Sequence, residues 1–144
     1  MTHHGATRTT STLEFVSQEF HPYHTDEHGF ELKHGQVTEK YTGPDFTGTG
    51  TVRSLLALGK NGSGNFGNLI HIEGTIGGRS GTFVVQGRGW LEGVDPTTGA
   101  WSSAGATWLI IPGSGTDALT GLRGEGEMSD NGHGAEITMD YRFE

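Results

Sequence analysis

The sharpest chemical feature of this sequence is a carboxylate set among apolar residues. Glu39 alternates with Val37 and Tyr41, so in an extended segment the three share one face. A carboxyl on an apolar face is pushed toward its neutral form and can give or take a proton near neutrality. Tyr141 lies in a cleaner alternation, with Ile137, Met139 and Phe143 on its side and Thr138, Asp140 and Arg142 on the other. Its phenol is a donor suited to a substrate oxygen. Glu39 and Tyr141 are therefore the expected catalytic pair. Trp108 offers a flat wall for a planar or polyene ligand. Each has a plain alternative: a rim carboxylate paired with lysine or water, a core tyrosine with a satisfied hydroxyl, and ordinary packing.

Other clusters carry less. Glu19 is a candidate second carboxylate near the mouth of any lumen, with its face left open by the pattern. His21, His24, Asp26, Glu27 and His28 are metal-ligand types, but they surround a Pro-containing turn and match no zinc signature. The expectation is no metal and no cofactor. Gly113-Ser114-Gly115-Thr116 lacks the lysine of a phosphate loop and precedes strand rather than helix. Gly121, Gly124 and Gly126 have the wrong spacing for a dinucleotide fingerprint. No serine sits in a Gly-x-Ser-x-Gly elbow, and the chain has no cysteine for thiol chemistry or disulfides.

The elements that must position Glu39 and Tyr141 are strands. Seven turn clusters, among them Asp26-Glu27-His28-Gly29, Lys60-Asn61-Gly62-Ser63-Gly64 and Asp130-Asn131-Gly132, divide the chain into eight segments rich in β-branched and aromatic residues. The segments are Ser11–Phe20, Phe30–Thr42, Gly48–Leu58, Asn65–Ile76, Ser80–Glu92, Ala100–Ile111, Ala118–Met128 and Ala135–Phe143. None carries a helical stripe. Short connections make hairpins, and eight hairpin-linked strands can close into an up-and-down antiparallel barrel without exposed edges. At 144 residues the chain suits one all-β domain, placed at residues 12–144 behind a flexible N-terminal tail at 1–11. Alternation puts Leu13, Phe15, Ser17, Val37, Glu39, Tyr41, Ile70, Ile72, Phe83, Val85, Trp108, Ile110, Met139 and Tyr141 inside, and His71 outside. The faces of the first and third strands are the least determined.

Composition narrows the partners. The 17 acidic residues against 9 basic ones give a formal charge of −8, a poor footprint for nucleic acid. No apolar stretch reaches membrane-spanning length and no signal-peptide pattern opens the chain, so the expectation is a cytoplasmic protein with no membrane partner. Self-association into a homo-oligomer is compatible with everything in the sequence.

The run from Trp108 through Thr116, followed by Leu119-Thr120-Gly121-Leu122-Arg123-Gly124-Glu125-Gly126, is highly patterned. Together with Gly78-Arg79-Ser80-Gly81-Thr82-Phe83 and Asp140-Tyr141-Arg142-Phe143, it resembles a bacterial family known as domain of unknown function 3224. The family's fold looks like the allene-oxide-cyclase barrel, and the Gly-Ser-Gly-Thr run is similar to the Gly-rich turn of allene oxide cyclases and dirigent proteins. The resemblance spans nearly the whole chain from Thr12 and rests mainly on turns and strand ends. It implies the barrel strongly and an activity only by analogy. Family members commonly carry a Glu in the fourth strand where this chain has Ile70, and a His in the fifth where it has Gly87. Both departures would enlarge and dry the interior.

These features point to a cofactor-independent cyclase, isomerase or related lyase acting on a small apolar molecule held in the lumen. Glu39 and Tyr141 would be catalytic; Phe15, Tyr41, Ile70, Ile72, Phe83, Gly87, Trp108, Ile110 and Met139 would line the substrate. A non-catalytic ligand-binding barrel is the alternative. A hydrolase with paired carboxylates is a third, weakened by Ile70.

Overall fold

The computed structural model describes residues 5–144; Met1 to His4, part of the expected tail, lie outside the described residues. Eight strands form one closed antiparallel barrel in sequence order: β1 (Thr7–Thr25), β2 (Glu31–Thr42), β3 (Phe46–Leu58), β4 (Gly64–Ile76), β5 (Arg79–Glu92), β6 (Ser103–Ile110), β7 (Leu122–Asp130) and β8 (Ala135–Phe143). The one helical piece among the described residues is a 3-10 turn at Asp117–Leu119. The up-and-down barrel expected from the turn spacing is thus the fold.

The turns work through side-chain acceptors. Asp26 Oδ1 accepts from the His28 and Phe30 amides, Asn61 from Ser63, Asp95 from Thr97 and Thr98, and Asn131 from His133 and Gly134. Such Asx contacts replace the ladder where the chain reverses.

Several boundaries differ from the sequence reading, most of all the end of β1, which runs to Thr25 rather than Phe20 and so takes His21, Pro22 and His24 into the strand instead of the expected turn. β1 starts at Thr7, inside the expected tail, because Thr7–Leu13 pair with β8 and close the barrel; Thr9 and Ser11 point inward and are buried. β6 starts at Ser103 rather than Ala100. β7 starts at Leu122 rather than Ala118, because the chain first folds over one end of the barrel. There the Gly-Ser-Gly-Thr run serves as a clasp. Ser114 Oγ accepts from the Val84 amide and donates to the Ile111 carbonyl, while Thr116 exchanges hydrogen bonds with Thr82. Leu119 is thereby driven fully into the core.

Strand β1 also changes face midway. Its register with β2 shifts between Phe15 and Ser17, which leaves Val16 as an extra, exposed residue. A bulge of this kind inverts the alternation beyond it. Ser17, expected inside, is exposed, and Gln18 and Phe20 take the inward positions.

Core packing is uneven along the axis. At the clasped end Tyr41, Phe46, Ile72, Ile76, Phe83, Ile110, Leu119, Leu122 and Met139 are all sealed from solvent. Tyr41 stacks on Phe46 with ring centroids 5.0 Å apart, and Phe46 meets Phe83 at 6.2 Å. The other half of the lumen is not filled.

Candidate functional site

The unfilled half is a cavity with about 60 Å³ of space open to the centre of a water-sized sphere. One water needs only about 10–15 Å³ by that measure, so there is room for more than a single solvent molecule. Its walls are largely apolar: Leu13, Phe15, Val37, Val52, Leu56, Ile70, Leu91, Trp108 and Met128, with Phe20, Phe66 and Trp101 among the half-buried residues. Trp101 meets Phe15 edge-on at 5.4 Å and donates from its indole to Asp130 Oδ2 at 2.9 Å, which fixes that part of the wall. A larger depression, about 840 Å³, lies around Trp90 and Arg88, but no buried titratable group lines it.

Glu39 lines the cavity from β2 and is 7% exposed. The Tyr41 hydroxyl donates to its Oε1 at 2.8 Å. Burial raises the Glu39 carboxyl to about 7, against the smaller downward pull of the Tyr41 hydrogen bond. Burial, and then the neighbouring carboxylate, hold the Tyr41 phenol well above its ordinary value, so it stays a donor. Two residues apart on one strand, both side chains point inward, as alternation requires. Gly50, the cross-strand partner of Glu39, makes room for the pair: a Cβ there would collide with the Tyr41 hydroxyl and sit 3.0 Å from Ile70 Cγ2. No lysine or arginine lines the cavity. The lumen therefore holds one carboxyl able to exchange a proton near neutral pH in an apolar setting.

Of the residues expected at the site, Phe15, Glu39, Ile70 and Trp108 line this cavity. Tyr41 braces Glu39 from beneath. Ile72, Phe83, Ile110 and Met139 point inward as expected but belong to the packed half, not to the cavity wall. Tyr141 is not brought to Glu39. Its hydroxyl donates to Asp45 in the β2–β3 turn at the clasped end, and burial together with that contact raises it to about 12. Gly87 does not open the lumen either. The space beside it is taken by the Asn68 side chain, with which an added Cβ would collide, and Trp108 Cδ1 lies 3.5 Å away. Glu19 faces outward, 2.8 Å from His21 Nε2, so the mouth gains no second carboxylate. His71 is exterior as expected. Among the described residues no three His, Asp or Glu side chains converge as a metal site.

The sequence reading missed Ser54 and Asn68, which line the cavity opposite one another on β3 and β4. Asn68 was within reach, because it alternates with Ile70 and Ile72. Gln18 and Phe20 were not, because the bulge that turns them inward leaves no mark in the pattern.

A family model described as "Protein of unknown function (DUF3224)" matches residues 9–143. The chain belongs to the DUF3224 family. Among curated proteins there is no match. A crystal structure of a DUF3224-family protein of unknown function from Shewanella oneidensis MR-1 is similar across 96% of this chain and 98% of that one. The identity is 23% and the TM-score 0.75. At that identity the likeness speaks for the DUF3224 barrel itself, not for what fills it. The clasp, residues 111–121, falls inside the matched span and builds the closed end rather than the cavity.

Proposed function

We propose that this DUF3224 barrel is a cofactor-independent isomerase or cyclase that binds a small apolar molecule in the open half of its lumen, with Glu39 as the acid–base group. The observation that carries the proposal is Glu39 itself: a buried carboxyl raised to about 7, braced on one oxygen by Tyr41, in an apolar cavity without a basic side chain. A group poised there can both remove and return a proton at neutral pH. Apolar walls supply binding energy and hold a flexible molecule near its reactive shape. The likeness to allene-oxide-cyclase barrels and a cytoplasmic setting belong to this same proposal. No helix among the described residues is long and apolar enough to cross a membrane.

The engagement of Tyr141 with Asp45 favours a second reading, a carrier barrel without chemistry, since Glu39 is then the one titratable group lining the cavity among the described residues. One experiment separates the two. Wild type and Glu39→Gln are incubated with a library of small unsaturated compounds, and both binding and product are measured. An enzyme binds its compound in both forms and converts it only as wild type. A carrier binds and releases the same compound unchanged in both. Absence of any lumen ligand across the library defeats both.

A further inference from the structure

Ser54 and Asn68 are direct cross-strand partners, and both line the cavity. Ser54 is buried, yet no described residue hydrogen-bonds its hydroxyl, which is not sealed from the cavity. Asn68 is oriented by its surroundings. Its Oδ1 is sealed, has no partner and is pressed to the wall beside Gly87. The Nδ2 group on the same carbon points away from that wall and is not sealed. Two neutral donors, Ser54 Oγ–H and Asn68 Nδ2–H, thus stand together on an apolar wall with no acceptor from the protein. Buried polar groups in native folds are paired with protein, water or ligand, so two donors that face the cavity without a protein partner are free to hold a ligand's acceptor.

The position of Glu39 relative to this pair limits the ligand. The Glu39–Tyr41 contact lies beside Ile70, as the surroundings of Gly50 show. Asn68 is the next inward residue of β4, about 7 Å along the strand. Tyr41 takes Glu39 Oε1, and Oε2 has no protein partner. Oε2 and the donor pair face the same cavity, so a molecule whose oxygen rests on Ser54 and Asn68 extends along the lumen toward Glu39. A carboxylate ligand is disfavoured, because the cavity has no cation and already contains one carboxyl.

We propose that the substrate is a small, neutral, apolar carbonyl compound, a β,γ-unsaturated ketone or aldehyde, whose oxygen is held by Ser54 and Asn68 while Glu39 shifts a proton along its carbon chain. This rests on the lumen being the ligand site. Glu39 as carboxylate removes a proton from the carbon between the carbonyl and the double bond. The electrons of that C–H bond pass onto the carbonyl oxygen, giving a dienolate whose negative oxygen accepts from Ser54 and Asn68. The protonated Glu39 then returns the proton to the far carbon, and the double bond moves into conjugation. One C–H bond breaks and one forms, so neither oxidant nor cofactor enters.

The test uses the whole chain with cyclohex-3-en-1-one, whose conjugated product is followed by ultraviolet absorbance. Phenol, a mimic of the dienolate, and toluene, its counterpart without the oxygen, are titrated against the indole N–H resonance of Trp108. Wild type should convert the ketone and bind phenol at least about tenfold tighter than toluene. Glu39→Gln should abolish conversion. Ser54→Ala and Asn68→Leu should each lower kcat by about 10²-fold and erase most of the phenol preference. Equal affinity for phenol and toluene, without conversion, overturns the carbonyl assignment and leaves the apolar lumen standing. Conversion that depends on Glu39 but is untouched in Ser54→Ala, Asn68→Leu and the double variant overturns the donor pair. If neither ligand moves Trp108, the lumen is not the site and both proposals fall. The phenol preference is read on wild type, so the result does not hang on the folding of any variant.

Discussion

Replacing Glu39 by glutamine should change how the barrel's stability responds to pH. In the fold the carboxyl titrates at about 7, above its ordinary 4.5, because burial penalises the charged form. An acid raised in the folded state keeps its proton there while the unfolded chain has already lost it. Between about pH 4.5 and 7 the unfolded state therefore binds fewer protons, and unfolding free energy falls as pH rises. The slope is about 1.4 kcal/mol per pH unit, and the cost accumulated by pH 8 is about 3 kcal/mol. Below pH 4.5 both states are protonated and the cost vanishes. Glutamine keeps an acceptor for the Tyr41 hydroxyl and has nothing to ionise. Glu39→Gln should then match wild type near pH 4.5 and exceed it by about 3 kcal/mol at pH 8, measured by urea unfolding across that range. Taking the difference between the two proteins cancels the titration of every other group. A difference that stays flat from pH 4.5 to 8 would refute the placement of Glu39 as a buried carboxyl, and with it the acid–base role.

Other perturbations test the surroundings. Tyr41→Phe removes the hydrogen bond that holds Glu39 down, so the carboxyl should titrate still higher, by carbon-13 NMR of the labelled side chain; an unchanged or lower value would contradict the contact. Gly87→Ala drives a methyl into the Asn68 carboxamide and should cost about 1–3 kcal/mol in urea unfolding while weakening phenol binding. A fully stable variant with intact binding would show that Asn68 is free to move. Tyr141→Phe loses the Asp45 contact at the clasped end and should cost about 1–2 kcal/mol without changing toluene or phenol affinity; lost affinity would tie Tyr141 to the lumen after all.

Most of the barrel was legible because its signals are local. Turn residues at seven places and period-two alternation in β2, β4, β5 and β8 gave strand number, order and the inward faces of Val37, Glu39, Tyr41, Ile70, Ile72, Phe83 and Met139. The errors fall where a strand departs from regularity or where the decisive contact is distant in sequence. The bulge at Val16 turns Ser17 outward and Gln18 inward. The strand start at Thr7 depends on pairing with β8, more than a hundred residues away. Glu39 was identified because two neighbours on its own strand make its face apolar. Tyr141 sits on an equally apolar face, but only the position of Asp45 in the β2–β3 turn reveals that its hydroxyl is already engaged.

Alternation says which way a side chain points, not how far along the barrel axis it lies, and that second coordinate decides what is a site here. Met139, Ile110 and Glu39 all face inward, yet the first two are packed among Phe83, Phe46 and Leu119 while Glu39 meets open space. The asymmetry originates in the clasp. Ser114 and Thr116 tie residues 111–121 to β5, and Leu119 drops into the barrel at that end alone. At the opposite end the hairpin turns are held by their own Asx contacts, at Asp26, Asn61 and Asp95, and the inserted loop residue, Trp101, stays half-buried in the cavity wall instead of filling the lumen. The closed half thus serves as a rigid floor for Tyr41, whose ring is fixed between Phe46 and an edge contact with Trp108 at 5.7 Å. A phenol anchored in this way can hold a carboxyl in one orientation with little loss of side-chain freedom when a ligand arrives.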